Sequence, residues 1–543
     1  MFYKLKLALL SMAAFLASAD AFALFNSSKT SLPQSCYNIN YALNANGCIL
    51  SSTRSYAGKR GSMQLKLYTN DSGAQAYDQP IIVVAPYPGA LLAVNNNSDA
   101  IYQDLDLVFR NAFMGASPSE IKARYPNSDI FLFAYEYEQG KRFGSGDHIQ
   151  LNAFTVLQGI EMINEANQTN NHKPSISVLG TSLGGVVSKY AIGYAHKYGI
   201  ETNIRTWVTI DSPLKGANIP LAYQRLPLFI DSMLDDFGSI GVISLSTFDF
   251  LTSALDYTPL FFLELSELTS EAKRAIRDIR SMVQVSYENI HSTSSKQLLI
   301  NHIVDKNGSY RSTLLRELDS MPLPNDIRKV VFTNASLVNS YNTPSNWNAS
   351  KFIVAPHSGN PGELEAADFT FKENTPNGNR NESLFKSYTR VDRPLGNDKH
   401  VKEDTKLNEF PYYQYVNSAP GTNIGLTRSM LNTINNNILE ATPSHPAYAR
   451  CHNCQEPNFI PTFSALDIDP AVYGTDLNRL KGASHSETLQ KLEAASPFDR
   501  IHHVNSRTHD YEFNASDMSK LDSELQGRHD LAYLIPVISN LLN

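Results

Sequence analysis

The sequence predicts a mostly parallel α/β sheet with helices on both faces and two insertions. Three observations carry this. Continuous apolar runs of strand length lie at 81–85 and 130–135, the pattern of strands buried on both faces, and further strand segments follow at 176–179 and 204–210. Helical periodicity lies between them. The run at 176–179 ends in Gly180-Thr181-Ser182-Leu183-Gly184-Gly185, and a helical pattern, Val186 to Ile192, follows at once. A strand therefore turns tightly into a helix, with a serine at the apex.

The elements follow in order. Lys4 and Lys6 precede an apolar stretch from Leu7 to Phe15, and Ala19-Asp20-Ala21 or Ala21-Phe22-Ala23 offers small-residue cleavage sites. Residues 1–23 thus read as a signal peptide, and the stretch is too short to span a bilayer. The expectation is an exported chain, secreted or periplasmic, about 520 residues long after cleavage, with no transmembrane span. Residues 24–62 read as a polar N-terminal extension. Met63 to Tyr68 alternates and opens the first half of a core that runs over 63–220. Asp78-Gln79-Pro80 leads into the strand at 81–85. A helix is expected from His148 to Asn167, with Phe154, Leu157, Ile160 and Ile163 near helical spacing. The strand at 204–210 ends in Asp211-Ser212-Pro213.

Residues 221–290 are dense in Leu, Phe, Ile and Met and read as a helical lid insertion over the sheet's C-terminal edge, where ligands bind in such folds. Lys329 to Thr333 resumes the strand pattern in a second half, 291–543. Within it, residues 340–444 are polar and read as an insertion with extended structure. Organised sequence returns at Asn458 to Asp467, Ser496 to Asp499 and Asn505 to His509, and an amphipathic helix is expected from Ser523 to Leu542, bent at Pro536.

Charge is mildly acidic, with 46 basic against 53 acidic residues and a net charge of -7. No basic block stands out, which argues against nucleic acid as a partner. The four cysteines, Cys36, Cys48, Cys451 and Cys454, suggest disulfides in an exported chain. Local pairing would join Cys36 to Cys48 and Cys451 to Cys454, with cross-pairing left open. One C-x-x-C without a second pair at metal-binding spacing points to no metal site.

The turn at Ser182 has the spacing of a nucleophile elbow. The serine must take a positive φ, and Gly180 and Gly184 keep the crossing backbones clear of each other. A serine hydroxyl needs a base within hydrogen-bond reach and an acid to orient that base. On this scaffold the chain order is serine, acid, histidine, so His400, His452, His485, His502, His503, His509 and His529 are all candidates for the base.

The chain resembles the secreted, lipase-like branch of the α/β-hydrolase superfamily found in bacteria. The resemblance is carried by Gln79 to Val84, Asp147 to Ala153, the elbow, Asp211 to Pro220, Phe459 to Asp467 and Ser496 to His509, in the family's order. It implies an α/β-hydrolase fold and a serine esterase in which Ser182 attacks an acyl carbonyl and His509 takes the proton. For the acid, Asp211 at a strand end and Asp467 after Phe-Ile-Pro-Thr both stay open, with Asp211 preferred; no Asp-Gly turn of the kind many lipases use follows Ser182. The oxyanion hole falls to the amides of Leu183 and Tyr87. Ala85-Pro86 stands where most relatives carry His-Gly or Glu-Gly, and Pro86 and Pro88 cannot donate. No cofactor is implied. The expected partner is a small-molecule or lipid ester, and the apolar insertion favours a hydrophobic acyl group; oligomeric state is not legible. Amidase and acyltransferase chemistry share these features, and a non-catalytic binding or surface protein on the same scaffold is the rival reading.

Overall fold

The structure, a computed structural model, describes residues 47–68, 77–87, 105–113, 116–135, 146–169, 175–221, 223–225, 288–333, 350–355, 364–371, 383–391, 399–412, 448–452, 459–469 and 494–503, with a few single positions between them. The expected signal peptide, the body of the expected lid, the C-terminal helix, and Cys36, Cys454, His485, His509 and His529 lie outside these residues.

An 8-stranded sheet forms the centre, in the order β1-β2-β4-β3-β5-β6-β7-β13. Its strands are β1 (Cys48–Tyr56), β2 (Lys59–Tyr68), β3 (Ile81–Val84), β4 (Ile130–Tyr135), β5 (Ile176–Thr181), β6 (Ile204–Ile210), β7 (Arg328–Thr333) and β13 (Arg500–His503). From β4 across to β13 every pairing is parallel; β1–β2 and β2–β4 are antiparallel. All four residues of β3 and all six of β4 are buried, as the unbroken apolar runs require. Burying each such Val, Ile or Phe contributes about 1.5–3 kcal/mol.

The sheet begins earlier than the alternation at Met63 suggests. Cys48–Tyr56 pairs with β2, and its first residues alternate buried and exposed. Ser52 and Thr53 dilute the apolar signal there, so the segment reads as polar extension until its partner is seen. Cys48 is disulfide-bonded.

Among the described residues seven α-helices accompany the strands: α1 (Leu105–Ala112), α2 (Pro118–Arg124), α3 (Ile149–Thr169), α4 (Leu183–Lys197), α5 (Thr293–Leu298), α6 (Ser309–Asp319) and α7 (Thr462–Ala465). At α2, Ser117 Oγ accepts from the Glu120 amide at 3.3 Å and Glu120 Oε2 accepts from the Ser117 amide at 2.7 Å, with Pro118 starting the helix. This satisfies two of the amides that a helix start leaves unpaired. Helix α3 packs on β1, β2 and α4. A Cβ on its Gly159 would collide with the Phe133 ring, so the glycine lets the helix lie close to the sheet.

Residues 350–452 contain a second sheet, 5-stranded and antiparallel, in the order β11-β10-β9-β8-β12. Its strands are β8 (Ser350–Ala355), β9 (Leu364–Phe371), β10 (Ser383–Val391), β11 (Lys399–Lys406) and β12 (Tyr448–His452). Four of these strands fall within the stretch 340–444 expected to be extended, and β12 lies beyond it. No described helix is long and apolar enough to cross a membrane.

Candidate active site

The parallel strands end at one edge of the sheet, and Ser182 and Asp211 follow β5 and β6 there. Ser182 links the end of β5 to the start of α4 with φ 52° and ψ −121°. A non-glycine residue held there costs about 1–3 kcal/mol. The surroundings enforce it. The Ser182 amide donates to the Ile210 carbonyl at 2.8 Å, and the Ser182 carbonyl accepts from the Gly185 amide at 3.0 Å. A Cβ on Gly180 would lie 2.6 Å from the Gly184 carbonyl oxygen, and one on Gly184 would collide with the Val84 carbonyl. Both glycines expected at the elbow are therefore required by close backbone approach.

The third glycine has a cause the sequence did not reveal. A Cβ on Gly185 would collide with the Ser212 side chain. The Asp211-Ser212-Pro213 turn packs directly on the elbow, and Ser212 is fully buried.

Asp211 follows the residue that anchors the Ser182 amide. It has φ 40° and is 1% exposed; aspartate tolerates this left-handed backbone better than most residues. Its amide donates to the Phe332 carbonyl at 2.9 Å, and its Oδ1 accepts from Thr333 Oγ1 at 3.0 Å. The Thr333 hydroxyl in turn accepts from the Ala335 amide at 3.0 Å, which points its proton at the carboxylate. Thr333 was absent from the candidate residues. Its position at the end of the predicted strand 329–333 was the available signal, since β7 adjoins β6.

Asp467 is committed elsewhere. Its Oδ2 lies 2.6 Å from Lys189 Nζ and its Oδ1 lies 3.7 Å from Lys215 Nζ, with the Lys189 and Asp467 side chains 8% and 7% exposed. Lys189 lies on α4 well past Ser182, so this buried pair ties the Phe-Ile-Pro-Thr turn to the helix behind the elbow.

Leu183 is the first residue of α4, where helix geometry leaves amides without intrahelical partners. Tyr87 lies just past β3, and its hydroxyl donates to Asn289 Oδ1 at 3.0 Å. Asn289 stands at the far end of the expected lid, so the loop carrying Tyr87 is joined to the chain that returns from that insertion.

Among the candidate histidines, His502 lies on β13 with its ring stacked on Phe332, centroids 4.5 Å apart. His503 ends β13, while His400 and His452 belong to the second sheet. β13 runs parallel to β7 and ends at the same sheet edge as β5 and β6; His509 lies outside the described residues. Cys451 lies on β12. Among the described residues no group of three or more His, Cys, Asp or Glu is arranged to hold a metal ion.

Residues 92–235 match the PGAP1-like alpha/beta domain family. That stretch takes in β4, β5, β6, Ser182 and Asp211. No curated protein matches the sequence. Among solved structures, the chain is similar to a mature lipase of Bacillus licheniformis, at 10% identity over 53% of this chain and 76% of that one, TM-score 0.23. It is also similar to brefeldin A esterase, a bacterial homologue of human hormone-sensitive lipase, at 14% identity over 37% of this chain, TM-score 0.19. A third is carboxyl esterase 2 of the fungus Tuber melanosporum, at 14% identity over 38% of this chain and 57% of that one, TM-score 0.20. The chain spans 47% of the brefeldin A esterase. At these TM-scores the superpositions carry no weight. Strand order, the turn at Ser182 and the family match make this an α/β-hydrolase fold.

Proposed function

We propose that this chain is an exported serine hydrolase of carboxylic esters, acting on hydrophobic acyl groups, with Ser182 as nucleophile, His509 as base and Asp211 as the acid that orients it. One observation carries the reading. Ser182 sits at positive φ between β5 and α4, and its amide is held by the residue that precedes Asp211. A strained turn of this kind exposes a hydroxyl at a helix start, where backbone dipoles favour a developing negative charge.

In the proposed reaction, Ser182 Oγ attacks the acyl carbon while His509 removes its proton. The oxyanion draws on the Leu183 and Tyr87 amides. His509 then returns the proton to the departing alcohol, and water, deprotonated by the same histidine, releases the acid and frees Ser182. Asp211, held by Thr333, would keep the imidazole in the tautomer that accepts from serine.

The wild-type protein should react with a fluorophosphonate probe and hydrolyse p-nitrophenyl esters, more rapidly for medium acyl chains than for acetyl. Ser182→Ala should lose both while keeping its thermal transition. Equal labelling of the variant would overturn the reading. The prolines that flank Tyr87 favour a second reading, a non-catalytic binding protein on this scaffold, for which wild-type protein would show neither labelling nor turnover.

A further inference from the structure

Tyr135 closes β4 and is 4% exposed. Among the described residues its buried hydroxyl has no hydrogen-bond partner. Burying a hydroxyl without a hydrogen bond is costly, so its place calls for a reason.

The sheet register gives that place. Gly180, Val84 and Phe133 stand in one row across β5, β3 and β4. The Ala85 amide donates to the Phe133 carbonyl at 2.9 Å, so the register holds past the end of β3. Two residues further along each parallel strand, Ser182, Pro86 and Tyr135 follow at the same edge. β4 and β5 are two strand spacings apart, about 10 Å. A Cβ on Gly159 of α3 would collide with the Phe133 ring, so Phe133 faces α3. Tyr135, two residues on, points to the same side. Helix α3 packs on α4, the helix that Ser182 opens. The phenol therefore lies on the α4 side of the sheet, one strand from the loop of Tyr87 and two from the elbow.

Two further facts bear on its chemistry. Burial pushes the Tyr135 phenol well above the usual tyrosine value, and the neighbouring Tyr87 phenol adds to this, so Tyr135 is a neutral donor. The Tyr87 hydroxyl is taken up by Asn289 Oδ1 at 3.0 Å. Pro86 and Pro88 carry no amide proton, so Tyr87 holds the one backbone donor between them.

We propose that the Tyr135 hydroxyl donates to the oxyanion formed at Ser182, in place of a donor that the prolines withhold. The proposal rests on the serine-hydrolase reading above and adds a catalytic residue to it. In the attack the bond from Ser182 Oγ to the acyl carbon forms, the carbonyl π pair moves to oxygen, and His509 takes the serine proton. Tyr135 keeps its own proton and hydrogen-bonds the new oxyanion. A hydroxyl already bonded elsewhere would first have to break that bond; an unpaired one is ready when the charge develops.

The test compares Tyr135→Phe with Tyr190→Phe in the full chain. Tyr190 is also buried, but its hydroxyl donates to Glu317 Oε2 at 3.1 Å. Tyr135→Phe should keep or raise the thermal transition, because it removes an unpaired hydroxyl. It should lower kcat on p-nitrophenyl butyrate by about 10²-fold with KM within about twofold. Tyr190→Phe should lower the thermal transition and keep kcat within about twofold. A trifluoromethyl ketone gives a second readout. Ser182 Oγ adds to its carbonyl carbon and the oxyanion persists, with no leaving group and no turnover. Its inhibition constant should rise in Tyr135→Phe by about the factor lost from kcat. Wild-type kcat in Tyr135→Phe overturns the proposal, as does an unchanged inhibition constant or a loss of activity matched by a fall in the thermal transition. The same pattern in both variants also overturns it. Wild-type protein with neither fluorophosphonate labelling nor turnover overturns the hydrolase reading and this proposal together. A labelled, active wild type with an unaffected Tyr135→Phe overturns this proposal alone.

Discussion

Gly185 and Ser212 compete for one space: any side chain on the glycine would overlap the serine hydroxyl. The elbow and the Asp211 turn are thereby packed as one unit. Gly185→Ala should destabilise the protein by about 1–3 kcal/mol, the range for overpacking a tight interior. Gly185→Ala with Ser212→Gly should recover most of that loss in urea unfolding. A single variant as stable as wild type would mean the turn can move away freely.

Thr333 should act on chemistry through Asp211. Thr333→Val removes the 3.0 Å hydrogen bond to Oδ1 while keeping the shape of the side chain. The expected outcome is a fall in kcat of about tenfold with KM little changed, and Thr333→Ser should restore it. A change confined to thermal stability would assign Thr333 a packing role alone.

The two candidate acids make opposite predictions. Asp211→Asn should lower kcat on p-nitrophenyl esters by several decades, about 10⁴-fold where the tautomer of the base is lost. Asp467→Asn should leave kcat within a few-fold but cost stability, because Lys189 then loses its 2.6 Å partner. Removing one member of a buried pair costs about 3–5 kcal/mol. Reversal of the two kinetic results would move the acid to Asp467.

His302 predicts an acid-sensitive transition. Burial pushes its imidazole down to about 4, against the Ile290 carbonyl that accepts from Nε2 at 2.8 Å and favours the charged form. Nδ1 accepts from the Val304 and Asp305 amides, both at 3.0 Å, which requires the neutral ring. The folded value lies below the unfolded 6.5. The contribution is therefore fully present above 6.5 and is lost as pH falls towards 4, by up to about 1.4 kcal/mol per pH unit. Urea unfolding across that window should show a steeper loss for wild type than for His302→Gln.

The sequence by itself determined most of the sheet and the turn at Ser182. Strands such as Ile81–Val84 and Ile130–Tyr135 are buried on both faces, so their apolar runs are continuous and cannot be mistaken for surface. The elbow is legible because its glycines answer a local demand: two backbone segments cross within a few residues. Asp211 was legible as a candidate for the same reason, as it closes a strand next to the elbow. What needed distant parts of the chain could not be read this way. β1 is half polar and becomes a strand only against β2. Thr333 and Ser212 matter through partners far away in sequence, and Asp467 is distinguished from Asp211 by lysines on another helix and turn.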